Sequence, residues 1–185
     1  MKRFLLPMGV FALIVLVLAF GIVNAPKHGS KEIPSPLLGK AAPEFTLPKL
    51  LDAGQNYQTQ ALRGDWHLVN VWGTWCGECR AEHATLLQIK NEGRVPIVGI
   101  DWKDDDAAAL AWLAQLGNPY ETVVADRDGR AAIDWGVYGA PESFLVDPQG
   151  MVVEKHIGAM TMEDWQRKFL RHLNADAKVD AKAGA

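Results

Sequence analysis

An α/β domain built on a mixed β-sheet is predicted by three observations. Short apolar runs alternate with helical stretches, a Cys-Gly-Glu-Cys turn joins the first run to the first helix, and the order closes on a hairpin and a last helix. His67 to Trp72 is a compact apolar run bounded by Gly64 and Asp65, and reads as a strand. Glu78 to Lys90 follows with a helical period through Ala81, Leu86, Leu87 and Ile89. Val95 to Asp101 is a second strand, entered through Gly93. Ala107 to Leu116 is rich in strong helix formers and is closed by Gly117-Asn118-Pro119. Glu121 to Ala125 reads as a short strand and Arg130 to Trp135 as a short helix. Ser143 to Val146 and Met151 to His156 form a hairpin across Asp147-Pro148-Gln149-Gly150. Thr161 to Leu173 is the final helix, with Thr161 as its cap and Asp164 three residues on. Two parallel strands joined through a helix leave the first strand's C-terminal end at a crevice edge, where open α/β sheets do their chemistry.

The chain divides into four parts. Residues 1–25 form a membrane anchor, 26–37 a polar linker, 38–173 the folded domain and 174–185 a flexible tail rich in Ala, Lys and Asp. Phe4 to Val23 carries no charge and follows Lys2 and Arg3. Twenty helical residues rise about 30 Å, the depth of a bilayer core. A cleaved signal peptide is the competing reading, with Val23-Asn24-Ala25 as its small-residue site, but such segments have apolar cores of only about 7–15 residues. Lys2 and Arg3 are expected to stay in the cytoplasm and send the domain outward, to a periplasmic or extracellular location.

Of 19 Lys and Arg, all but Lys2 and Arg3 lie beyond residue 25, where 22 acids outnumber them. That balance argues against nucleic acid as a partner, since phosphate binding needs a basic surface. Asp104-Asp105-Asp106 reads as a solvated helix start.

There are two cysteines, three apart. A bridge over so short a loop constrains the unfolded chain little, so the pair is there for reactivity. No cofactor is expected. A zinc site needs four ligands, and His67, His83 and His156 do not stand at ligand spacing from the pair; haem attachment needs His after the second cysteine, where Arg80 stands. Cys76 falls at a helix N-terminus, whose free N–H groups and dipole favour a thiolate. Cys79 lies on the same helical face, within bridging reach and deeper. Cys76 is therefore expected to be the exposed nucleophile and Cys79 the resolving thiol. Trp75 is expected to cover the pair, and Trp66, Trp72, Trp102, Trp112, Trp135 and Trp165 to be packing. His83 reads as a packed or surface helix residue, and Arg80 either stabilises the Cys76 thiolate or is solvated.

From Asn70-Val71-Trp72 through Gly73-Thr74-Trp75 to Cys76-Gly77-Glu78-Cys79-Arg80, the chain resembles the thioredoxin superfamily over residues 38–173. The resemblance implies a thioredoxin-like fold, and it implies that Gly139-Ala140-Pro141 carries a cis proline facing the cysteines and pairing with an extended substrate. Cys79-Arg80-Ala81-Glu82-His83, Lys103-Asp104-Asp105, Gly117-Asn118-Pro119-Tyr120, Gly136 to Glu142 and Ala42-Pro43-Glu44-Phe45 are similar to the thioredoxin-like proteins of cytochrome c maturation, called CcmG or DsbE. Such proteins keep apocytochrome c CxxCH thiols reduced for haem ligation and are recharged by a membrane carrier of the DsbD or CcdA type. Asn70 stands where general thioredoxins carry a buried acid, so the resemblance points to Glu82 or Glu142 as proton acceptor. The dipeptide between the cysteines is Gly77-Glu78, where the group often has Pro at the first position. An acid at Glu78 disfavours the thiolate, which predicts a reducing couple. The alternatives are a general disulfide reductase of the TlpA or ResA kind, a peroxidase, and a copper metallochaperone lacking a third ligand motif.

Overall fold

The computed structural model describes residues 5–23, 35–52 and 54–175. They fall into two units, the first within residues 1–33 and the second from residue 34 onward. The first unit is a single helix, α1 (Leu5–Val23), of 19 uncharged residues. No helix among the described residues is long and apolar enough to cross a membrane. Lys2, Arg3, the candidate cleavage site beyond Val23, nearly all of the linker and nearly all of the tail lie outside the described residues.

The second unit is the expected α/β domain. Its main sheet uses β1 (Lys40–Ala41), β4 (His67–Trp72), β5 (Ile97–Trp102), β6 (Thr122–Asp126), β7 (Glu142–Val146) and β8 (Met151–Ile157) in the order β1-β8-β7-β4-β5-β6. β4, β5 and β6 are parallel, whereas β7 and β8 run antiparallel as the hairpin predicts. β2 (Thr46–Pro48) and β3 (Asn56–Gln58) pair separately. Helices α2 (Gly77–Glu92), α3 (Asp106–Leu116) and α4 (Arg130–Asp134) fall between the strands as read.

β4 is buried at every position, which is why it reads as a continuous apolar run. Leu68 and Trp72 face a core with Leu86, Ile89, Trp112 and Phe169; Val69 and Val71 face a second core with Ile100, Trp135 and Phe144. The helix after it differs in detail from its predicted face. Cys79, Glu82, His83, Leu86 and Ile89 are the buried positions, while Ala81 is exposed and Leu87 only half-buried. Counting apolar residues alone misplaces the stripe, because two buried positions are polar.

The last helix also differs from a plain α-helix. Thr161 and Asp164 form the capping box that ends in α5 (Met162–Asp164), but Trp165–Phe169 is a π-helical segment before α-geometry resumes to residue 175. The extra residue per turn accompanies the burial of both Trp165 and Phe169, whose rings stack at 5.7 Å. β1, β2 and β3 were not predicted, being only two or three residues long. The chain between and after them is held by side chains as well: Thr59 Oγ1 accepts from Phe45 N at 2.7 Å, and Trp135 Nε1 donates to the Pro43 carbonyl at 3.1 Å.

Candidate active site

The turn after β4 delivers Cys76 as the N-cap of α2. Its backbone is extended, and its sulfur accepts from the Cys79 amide at 3.0 Å, doing what a Ser or Asp oxygen does at an ordinary cap. The donor that serves a sulfur here would favour the thiolate after reduction. Cys76 and Cys79 are joined as a disulfide, with Cα atoms 5.3 Å apart.

The peptide bond between Ala140 and Pro141 is cis, as the resemblance implied. The Ala140 carbonyl oxygen lies 3.2 Å from Cys76 Sγ. It can accept a hydrogen bond from the Cys76 thiol and repels the thiolate, so it opposes the helix cap. This contact changes one expectation. Cys76 is 5 % exposed and Cys79 3 %, so the first cysteine is not an open nucleophile. The exposed positions beside it in the turn are Trp75, at 54 %, Gly77 and Glu78. Trp75, expected to cover the pair, donates Nε1 to the Trp102 carbonyl at 3.1 Å and meets the Trp102 ring edge-on. Arg80 is exposed, as its solvated reading has it, and its guanidinium sits 4.2 Å over the Trp112 ring.

Behind the cysteines is a buried polar cluster. Glu82, one turn beyond Cys79, is 1 % exposed, not a solvated helix residue. Its Oε1 accepts from Asn70 Nδ2 at 2.8 Å and its Oε2 from the Met160 amide at 2.8 Å. Burial pushes its pKa up to about 7, with Glu78 adding to the rise and the Met160 and Asn70 hydrogen bonds opposing it. Asn70 is fully engaged: Nδ2 also donates to Ser143 Oγ at 3.0 Å, and Oδ1 accepts from Tyr120 OH at 2.9 Å. Asn70 therefore holds Glu82 in place from the central strand.

Glu142, the second candidate acceptor, is fully buried at the start of β7 and ion-paired with Lys155 at 2.7 Å. It is not a surface loop acid. Asp104 was read as part of a solvated helix start, yet its carboxylate accepts from both the Thr74 amide and Thr74 Oγ1 in the active-site turn. Asp105 does cap α3, through Ala108 N. Ser143, Tyr120 and Asp104 were not foreseen as site residues; only Tyr120 and Asp104 lay within motifs singled out by resemblance. His83 is packed, as read, against Trp112 and the Gly117 carbonyl. Among the described residues no group of three or more His, Cys, Asp or Glu is placed to hold a metal ion.

A dithiol–disulfide pair at a helix start, a cis-proline loop on its sulfur and a buried acid behind it make a thiol–disulfide oxidoreductase. Known proteins agree. The redoxin family model matches residues 37–183. A DsbE thiol:disulfide interchange protein of Allochromatium vinosum is 44 % identical over 91 % of this chain and 91 % of its own length. The DsbE of Escherichia coli K12 is 41 % identical, again over 91 % of each chain. Among solved structures, one described as a DsbE from Chlorobium tepidum superposes with a TM-score of 0.62 at 27 % identity, covering 76 % of this chain and 96 % of that one. The chain belongs to the redoxin family and, within it, to the DsbE-type thiol:disulfide interchange proteins.

Proposed function

We propose that the protein is a reductant on the periplasmic side of the inner membrane, keeping the CxxCH thiols of apocytochrome c reduced for haem attachment. The observation that carries the exchange chemistry is the buried Glu82 carboxyl behind Cys79, whose pKa near 7 leaves it able to take or give a proton at neutral pH. The reducing direction rests on the acid Glu78 between the cysteines. In the forward reaction the Cys76 thiolate attacks one sulfur of the substrate disulfide and forms a mixed disulfide. The other substrate sulfur leaves as a thiolate. Glu82 accepts the Cys79 proton; the Cys79 thiolate then attacks Cys76 Sγ, closing the protein disulfide and releasing the second substrate thiolate. Two electrons pass to the substrate, and a DsbD- or CcdA-type carrier supplies two more to reduce the Cys76–Cys79 disulfide again.

Ala140 and Pro141 supply the backbone edge for the substrate segment, and Trp75 flanks the entry. The client assignment rests on the resemblance to cytochrome c maturation proteins. Anchoring rests on α1, which is uncharged and whose described side chains, Pro7 to Gly21, are all exposed. An apolar surface on every side of a helix calls for an apolar surrounding.

The test is a trap. With Cys79→Ser, mixed disulfides at Cys76 cannot resolve, and their partners can be identified. Capture of an apocytochrome c or its handling proteins, with the membrane carrier, supports the reading. Capture of many unrelated exported proteins means a general reductase, and thiols holding copper with no capture mean a metallochaperone.

A further inference from the structure

Glu82 and Glu142 lie on opposite faces of the sheet. In the β4–β7 register Asn70 faces Ser143 and Val71 faces Glu142, and side chains of a strand alternate between faces. Ser143 shares the α2 side with Asn70 and Glu82, as their hydrogen bonds require. Glu142 shares the other side with Val71 and Phe144, which belong to the second core. Phe144 pairs with Lys155 across β7 and β8, which brings the ammonium to the same face.

There the two charges grip one loop. Glu142 Oε1 accepts from the Tyr138 amide at 2.9 Å, and Lys155 Nζ donates to the Gly136 carbonyl at 2.9 Å. Lys155 Nζ also lies 5.1 Å from the centre of the Tyr138 ring and 5.0 Å from that of Phe144. Gly136 and Tyr138 lead directly into Ala140, whose carbonyl oxygen rests 3.2 Å from Cys76 Sγ. Both charged side chains are nearly inaccessible, at 5 % and 0 % exposure, so neither meets solvent or substrate.

We propose that the buried Lys155–Glu142 pair positions the 136–141 loop against the Cys76 sulfur, with Lys155 a positioning residue and Glu142 its counter-charge, not a proton acceptor for the thiols. The pair acts as a unit, because removing either charge strands the other in the core. The proposal rests on the interchange chemistry of the family and not on the identity of the client.

The test uses the full chain in detergent with a synthetic peptide closed by an internal disulfide as substrate. Lys155→Met and Glu142→Gln should each lower kcat/KM about tenfold, chiefly by raising KM, and neither should shift the pH profile of the resolving step. The Lys155→Met/Glu142→Gln double variant should lose no more than the worse single one, and Lys155→Arg should recover to within about threefold of wild type. Losses that multiply to about a hundredfold in the double variant overturn the proposal. So does a Glu142→Gln enzyme whose resolving step no longer depends on pH. Should Lys155→Met fail to fold, the double variant leaves no stranded charge, and its comparison with Glu142→Gln still decides.

Discussion

Asn70 Nδ2 donates to Glu82 Oε1 at 2.8 Å in a site closed to solvent, so an amide on the central strand fixes the carboxyl one turn beyond Cys79. A carboxyl with its pKa near 7 is half ionised at neutral pH, and only the ionised fraction can take a thiol proton. In the wild-type protein the resolving step should therefore speed up as pH rises through about 7. Glu82→Gln keeps the shape and an acceptor for the Met160 amide but has no proton to exchange. It should slow resolution by about a hundredfold and remove that limb of the profile. Stopped-flow decay of a preformed mixed disulfide measures both effects. A variant resolving at the wild-type rate would dismiss Glu82 as the acceptor.

Replacing Asn70 by Asp places a second carboxyl against the first. Two carboxylates at hydrogen-bond distance cannot both ionise freely, so the pair should titrate in two steps with the upper one above 7. Asn70→Asp is expected to move the midpoint of the resolving step to higher pH, the opposite of a simple gain in base strength. A midpoint unchanged or lowered would show that Asn70 and Glu82 are not coupled.

How much of this was legible in the sequence depends on where the signal lies. The Cys76-Gly77-Glu78-Cys79 turn between an apolar strand and a helix placed the chemistry, because strand burial and helix capping are local. The strand His67–Trp72 agreed to the residue, because all six positions are buried and Gly64 and Asp65 end the run before it. The cis bond at Pro141 came from resemblance alone. What sequence could not reach are contacts across the fold. Asp104 grips Thr74 from 30 residues away, and Ser143 meets Asn70 across 73. No local pattern distinguishes such acids and hydroxyls from solvated ones. The alternation of faces that separates Glu82 from Glu142 needed the strand register.

Asp101 sets a stability prediction. It is 1 % exposed on β5, beside Asp104, and its pKa is raised to about 8. Burial is the main cause, with Asp104 and Asp106 adding and Arg127 opposing. An unfolded aspartate titrates near ~3.9, so the folded state holds a proton that the unfolded state releases. The stability this proton linkage contributes is complete below about 4 and is lost as pH rises through about 8. Asp101→Asn is neutral throughout. It should match wild type near pH ~3.5 or below and exceed it near pH ~8.5 by a few kcal/mol. Urea unfolding at the two pH values measures the gap, and equal gaps at both would mean that Asp101 is not protonated in the folded state.

His83 carries the opposite sign. Its Nδ1 accepts from Trp112 Nε1 at 3.3 Å, so the proton of the neutral ring is on Nε2, where it is donated to the Gly117 carbonyl at 2.9 Å. Burial lowers its pKa, the Gly117 and Leu116 carbonyls oppose the shift, and the Arg80 charge over Trp112 adds to it. A second ring proton would point Nδ1–H at the indole N–H and break the link between α2 and α3. With the folded pKa below the unfolded value of about 6.5, the contribution is full above that value and is lost as pH falls beneath it. Ring nitrogen shifts should report the neutral Nε2-protonated form persisting to lower pH than in a free histidine. His83→Gln can serve both partners without titrating. It should be the less stable protein near pH ~8, with the difference narrowing in acid; a constant difference would place the His83 titration outside the folding equilibrium.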